Sequence, residues 1–141
     1  MLEELAINSK IIMGNMEYGS DLLLELNNIC QTKEIFAGKI EGIGAVKCAT
    51  IGFYDQEKKE YIWNKIHRPM EVLSLKGNIS IKDNKPFVHA HIVLGDHNSQ
   101  VYGGHLGEDT QVFAFEYIIV PLQGDAFVRG FDKKTGLFLW K

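Results

Sequence analysis

Residues 86–94 read Pro86-Phe87-Val88-His89-Ala90-His91-Ile92-Val93-Leu94, an apolar alternating run with a histidine at every second place in its centre. A β-strand sends residues i and i+2 to the same face. Val88, Ala90, Ile92 and Leu94 therefore share one face, and Phe87, His89, His91 and Val93 share the other. The second face is too apolar to stand in water, so the pattern predicts a strand covered on both sides, by the core and by another sheet or subunit. At roughly 3.3 Å rise per residue, the two histidines stand about 6 to 7 Å apart on that face, close enough to reach one ion.

Strand signals continue on both sides of this run. Upstream, Glu71 to Ser80 reads as a strand, turned into the next by Lys82-Asp83-Asn84-Lys85. Tyr61-Ile62-Trp63 begins another, limited by Pro69. Phe36 to Ile43 and Ala45 to Tyr54 form a pair joined through Gly42-Ile43-Gly44, where glycine suggests a bulge or a close backbone approach. Asp55 to Lys59 is a polar turn. Downstream, the turn Asp96 to Gln100 leads to Val101-Tyr102-Gly103-Gly104-His105, and Gln111 to Leu122 is a long apolar strand carrying Glu116. The tail, Phe127 to Trp140, holds a turn at Asp132 to Gly136 between two short aromatic strands.

Helical spacing is confined to one segment. After an opening strand at Leu5 to Met13, Gly19-Ser20-Asp21 starts a helix with Ser20 as the expected N-cap. Leu22, Leu23, Leu26 and Ile29 supply its apolar stripe. The helix should end between Gln31 and Lys33. One helix against many strands predicts an α+β fold with a mostly antiparallel sheet, as a single domain over residues 1–141.

Composition narrows the function classes. With 141 residues and 45% hydrophobic content the chain can build a core. Cys30 and Cys48 lack the spacing of a disulfide or zinc framework and read as small buried apolar residues. The acidic start and the lack of long apolar runs predict a soluble, cytoplasmic protein with no membrane partner. The net charge is −3, and Arg68 and Arg129 are the only arginines. That balance disfavours DNA, whose binding needs clustered positive charge and leans on arginine for base readout.

The chemistry gathers at the histidines. The diglycine at 103–104 is expected to turn the chain sharply, through backbone angles closed to other residues, and so bring His105 to His89 and His91 from a neighbouring strand. Three imidazoles with one open position describe the catalytic kind of zinc site, and the same donor set also suits iron, nickel or copper. His67 and His97 read as strand-end and turn residues. Glu71 and Glu116 are candidates for orienting an imidazole, or else ordinary carboxylates paired with lysine or Arg129.

The stretch MEVLSLKGNISIKDNKPFVHAHIVLGDHNSQVYGGHLGEDTQVFAFEYII, residues 70–119, resembles the signature of the plants-and-prokaryotes conserved (PPC) domain, and the similarity extends over roughly residues 8–135. Its carriers are Glu71-Val72-Leu73-Ser74-Leu75 with Gly77, the His89-x-His91 strand, and Tyr102-Gly103-Gly104-His105-Leu106. The resemblance implies an α+β homotrimer of the bare prokaryotic type. The AT-hook that precedes the domain in plant members has no counterpart here. The histidine set is also similar to the zinc-binding arrangement of acetolactate decarboxylase, which would place the metal on His89, His91 and His105. Three readings stay open: a metal-dependent enzyme acting on an unspecified small molecule, a DNA-binding regulator, and an oligomeric scaffold.

Overall fold

The alternating run becomes strand β5 (Lys85–Gly95) in the computed structural model, which describes residues 10–141. Val88, Ala90, Ile92 and Leu94 are all buried, as the alternation requires. The opposite face divides in two: Phe87 and His89 are half-buried, while His91 and Val93 are exposed within the single chain. Strand β4 (Met70–Lys82) precedes β5 and joins it through Asp83 and Asn84, both in the left-handed region at φ 52° and 61°. A two-residue connection of that hand matches the twist of an antiparallel pair and fixes its register from Lys82 opposite Lys85. Asn78 thereby falls opposite His89, and Lys76 opposite His91.

A longer strand organises the rest. β2 (Gly38–Asp55) replaces the two shorter strands expected from the sequence, and its register against β4 slips between Gly42 and Gly44, as a bulge requires. The first half of β2 lies between β4 and β7 (Gln111–Pro121); its second half pairs with β3 (Glu60–Ile66) and with β6 (Val101–Leu106). Since β6 also pairs with β5, the strands β2, β4, β5 and β6 form a closed antiparallel circuit. β1 (Ile12–Asn15) extends the sheet beyond β7. The expected strand at Leu5 to Met13 falls mostly outside the described residues.

The helix, α1 (Leu22–Thr32), covers the buried face with Leu22, Leu26 and Cys30, and it packs on β5. Its N-cap is Asp21 and not Ser20. The Ser20 hydroxyl turns back to donate to the Glu17 carbonyl at 2.7 Å, whereas Asp21 Oδ1 accepts from Leu24 N and Oδ2 accepts from Asp109 N. Asn27 seals a sheet edge: β6 pairs with β5 only from His91 onward, and Asn27 Oδ1 accepts the N–H of Val88 at 2.9 Å. Cys30 is buried as expected; Cys48 is only half-buried, with its Sγ 3.6 Å from the Asp109 carbonyl.

The tail forms a two-stranded hairpin of β8 (Arg129–Asp132) and β9 (Leu137–Trp140). It rests against β4 and the Phe87 end of β5, with the Arg129 guanidinium 5.2 Å from the Phe87 ring. Asp21→Ala should cost about 1 to 2 kcal/mol in denaturant unfolding, while Ser20→Ala should cost well under half of that. Equal losses from the two variants would contradict the capping assignment.

Candidate metal centre

His89, His91 and His105 meet because the register puts them together. His91 and His105 are direct partners across β5 and β6, and His89 stands two residues away on the same face. Ring centroids lie 5.0 to 5.6 Å apart, and one nitrogen from each imidazole falls within 4.8 Å of the others. All three come from one chain.

The diglycine acts differently from the sequence expectation. Gly103 and Gly104 lie within β6 with no positive φ, and the reversal is made earlier, at Asp96 to Gln100, where Ser99 takes φ 62°. Asp96 Oδ1 holds that turn by accepting from the N–H groups of Asn98 and Gln100. The glycines instead permit close approach. A Cβ on Gly104 would stand 2.7 Å from the Gly52 carbonyl, and one on Gly103 would stand 3.2 Å from the Ile92 carbonyl. Bulkier residues would push β6 away from its neighbours and carry His105 with it.

Aromatic rings from β3 wall the site. Tyr61 lies 4.8 Å and Trp63 5.9 Å from the His105 ring, between centroids. Burial pushes His89 down to about 4, with the Arg129 charge and His91 adding to the effect. His105 is likewise pushed down to about 4, first by burial and then by its histidine neighbours and Arg129. Both are therefore neutral near pH 7, with a lone pair free on each ring. The buried Nδ1 of His105 has no hydrogen-bond partner.

His89 and His105 open into a cavity of about 260 Å³ shared with Tyr61, Phe87, Arg129 and Phe138. Glu71 and Glu116 line a different groove, with Ile43, Leu73 and Phe113. Neither pairs with Arg129, whose hydrogen bonds go to Ser80 Oγ, Asn78 Oδ1 and the Phe138 carbonyl. His67 and His97 lie outside the cluster. Sequence reasoning missed Tyr61, Trp63 and Arg129 as site residues. For the two aromatics the strand alternation held a usable signal, since Tyr61 and Trp63 share a face at spacing i, i+2.

Fold and site together define an α+β domain with three imidazoles converging from adjacent antiparallel strands. Residues 6–123 match the Plants and Prokaryotes Conserved (PCC) domain, and the chain belongs to that family. Its structure is similar to that of a metal-containing protein from Archaeoglobus fulgidus, with 48% identity and a TM-score of 0.90 over 94% of this chain and 93% of that one. It also resembles a plant- and prokaryote-conserved protein from Pyrococcus horikoshii (39%, 0.89, 94% and 91%). A third likeness is to a presumed DNA-binding protein from Bacteroides thetaiotaomicron (27%, 0.87, 93% and 91%). Among curated proteins no match is found.

The depressed histidines set a pH signature for the metal-free protein. Unfolded imidazoles take up protons below about 6.5, while His89 and His105 stay neutral in the folded chain down to about 4. The unfolded state therefore binds more protons between these values, so stability falls as pH drops from 6.5 to 4, and these groups add no further loss below that. Denaturation midpoints should decline already between pH 6.5 and 5, above the carboxylate range, and His89→Gln should flatten the slope. A flat wild-type profile there would contradict the buried neutral imidazoles.

Proposed function

We propose that His89, His91 and His105 hold one divalent cation, zinc foremost, and that the protein uses it in a reaction on a small molecule. The carrying observation is the convergence of three imidazole nitrogens within 4.8 Å, beside a buried His105 nitrogen that nothing else satisfies. An unpaired buried polar atom costs about 1–3 kcal/mol, which a partner at that site would offset. The donor set fits the ion. Neutral imidazoles are the protonation state a metal requires, and three nitrogens leave a coordination position for substrate. The A. fulgidus relative, described as metal-containing, agrees with this reading. When bound, the ion supplies Lewis-acid chemistry: it polarises a carbonyl or lowers the pKa of bound water to about 7. Tyr61 and Trp63 pack beside the His105 ring, and the cavity beside His89 and His105 admits a small molecule.

Self-association as a homotrimer, implied by the family resemblance, is supported by Ile43, Leu73, Val93 and Phe113, all large apolar residues exposed on the single chain. Glu71 and Glu116 lie in the groove bordered by three of these, so any part they take in orienting an imidazole runs across a contact between copies. DNA binding rests on descriptions such as that of the Bacteroides relative, and the net charge of −3 opposes it.

Elemental analysis of purified protein should find about one divalent ion per chain, zinc in the leading case. His105→Ala and His91→Ala should each lose it while remaining folded by circular dichroism. Metal-free wild-type protein that stays metal-free after dialysis against zinc would overturn this reading. Titration with duplex DNA at 50 mM salt should be flat; binding that weakens steeply with added salt would favour the regulatory alternative.

A further inference from the structure

The cavity beside the histidines holds a cation that no acid among the described residues pairs with. Arg129 is half-buried in its wall, and among the described residues no carboxylate lies within ion-pair distance of it. Three neutral acceptors hold it in place: Nε donates to Ser80 Oγ at 2.7 Å, Nη2 to Asn78 Oδ1 at 2.9 Å and Nη1 to the Phe138 carbonyl at 3.1 Å. Of the five N–H groups of a guanidinium two remain, one on each terminal nitrogen, a number that matches the two oxygens of a carboxylate. Phe87 and Trp140 flank the group, with ring centroids 5.2 and 5.7 Å from its central carbon.

The other charges of the cavity are already engaged or outnumbered. Lys59 Nζ donates to the Lys133 carbonyl, and Lys82 Nζ sits over the rings of Phe87 and Phe138. Glu60 is the single acid in the lining, against Arg129 and these two lysines. A half-buried, fixed guanidinium with free donors costs desolvation that a fitting anion would offset. The hairpin that carries Arg129 lies beyond residues 6–123, the span matched by the family domain, and on strands separate from those of the histidines.

We propose that the cavity is the binding site of a small, singly charged carboxylic acid, its carboxylate on Arg129 and a second oxygen turned towards His89 and His105. The inference deepens the metal reading and rests on it for the role of the second oxygen. The volume, about 260 Å³, and the walls of Tyr54, Tyr61, Phe87 and Leu137 suit a short carbon skeleton and exclude a polymer. One guanidinium with two free donors suits a monoanion better than a phosphate dianion.

Glycolate titrated calorimetrically into zinc-loaded protein, with zinc content measured in parallel, tests this. Glycolate should bind at one per chain, and glycolamide, its neutral counterpart, at least tenfold more weakly. Arg129→Gln should weaken glycolate at least tenfold with zinc content unchanged, and Arg129→Lys should recover only part of it. Because Arg129 also anchors the hairpin, the glycolate–glycolamide comparison on the unaltered chain stands even where the variant loosens the tail. Equal affinities for the two compounds, no binding of either to zinc-loaded protein, unchanged glycolate binding in Arg129→Gln, or tighter binding of inorganic phosphate would each overturn the proposal. Failure to take up zinc would instead overturn the metal reading, and glycolate binding by that zinc-free protein, abolished or not by Arg129→Gln, would then decide the anion site separately.

Discussion

The architecture depends on β6 reaching both β5 and β2. β6 is thereby paired along one edge with β5 and along the other with β2, and the circuit of β2, β4, β5 and β6 closes. A closed circuit fixes register more firmly than an open sheet, because a one-residue slip in any pair would turn that strand's buried side chains outward. The approach is sterically exacting: Gly104 lies over the Gly52 carbonyl at a distance no Cβ tolerates. The same closure that seals Ile51, Ile92 and Leu106 into the core sets His91 against His105. Stability and site geometry thus share one constraint, and neither can drift without the other.

Burial then decides the state of the imidazoles. Desolvation penalises the charged form of a histidine, and a nearby guanidinium penalises it again. His89 and His105 experience both, so acid must work against burial as well as against Arg129, and at His105 that burial includes the rings of Tyr61 and Trp63. A pocket that holds two imidazoles neutral beside a fixed positive charge is poorly suited to a structural hydrogen-bond network, since the Nδ1 of His105 finds no partner in it. It is well suited to donating lone pairs.

Much of this was legible in the sequence, for reasons that can be named. Period-two alternation specifies which side chains share a face, so residues 86–94 disclosed both the core set and the pairing of His89 with His91. Tight-turn chemistry at Lys82 to Lys85 disclosed the hairpin that positions them. The role of the diglycine was not legible, because glycine serves equally for a turn and for close packing, and only the neighbouring strand distinguishes them. Ser20 and Asp21 are both good caps; the choice was made by Asp109, distant in sequence, whose N–H binds the second carboxylate oxygen of Asp21. For Arg129 the sequence offers no more than an alternative pairing with Glu71 or Glu116, since nothing local shows that Ser80 and Asn78 face it.

That last difference bears on how such a site can vary. The three ligand candidates sit on adjacent sheet strands whose register is locked by the core, while Arg129, Leu137 and Phe138 arrive on a separate two-stranded hairpin that touches the sheet mainly through β4. A change in the hairpin alters the charge and shape of the cavity without moving an imidazole. A change in β5 or β6 moves the imidazoles and the core together. Residues mounted on peripheral segments over a rigid scaffold are the ones freest to vary, so the geometry of the imidazoles and the charge and shape of the cavity beside them are under separate structural control.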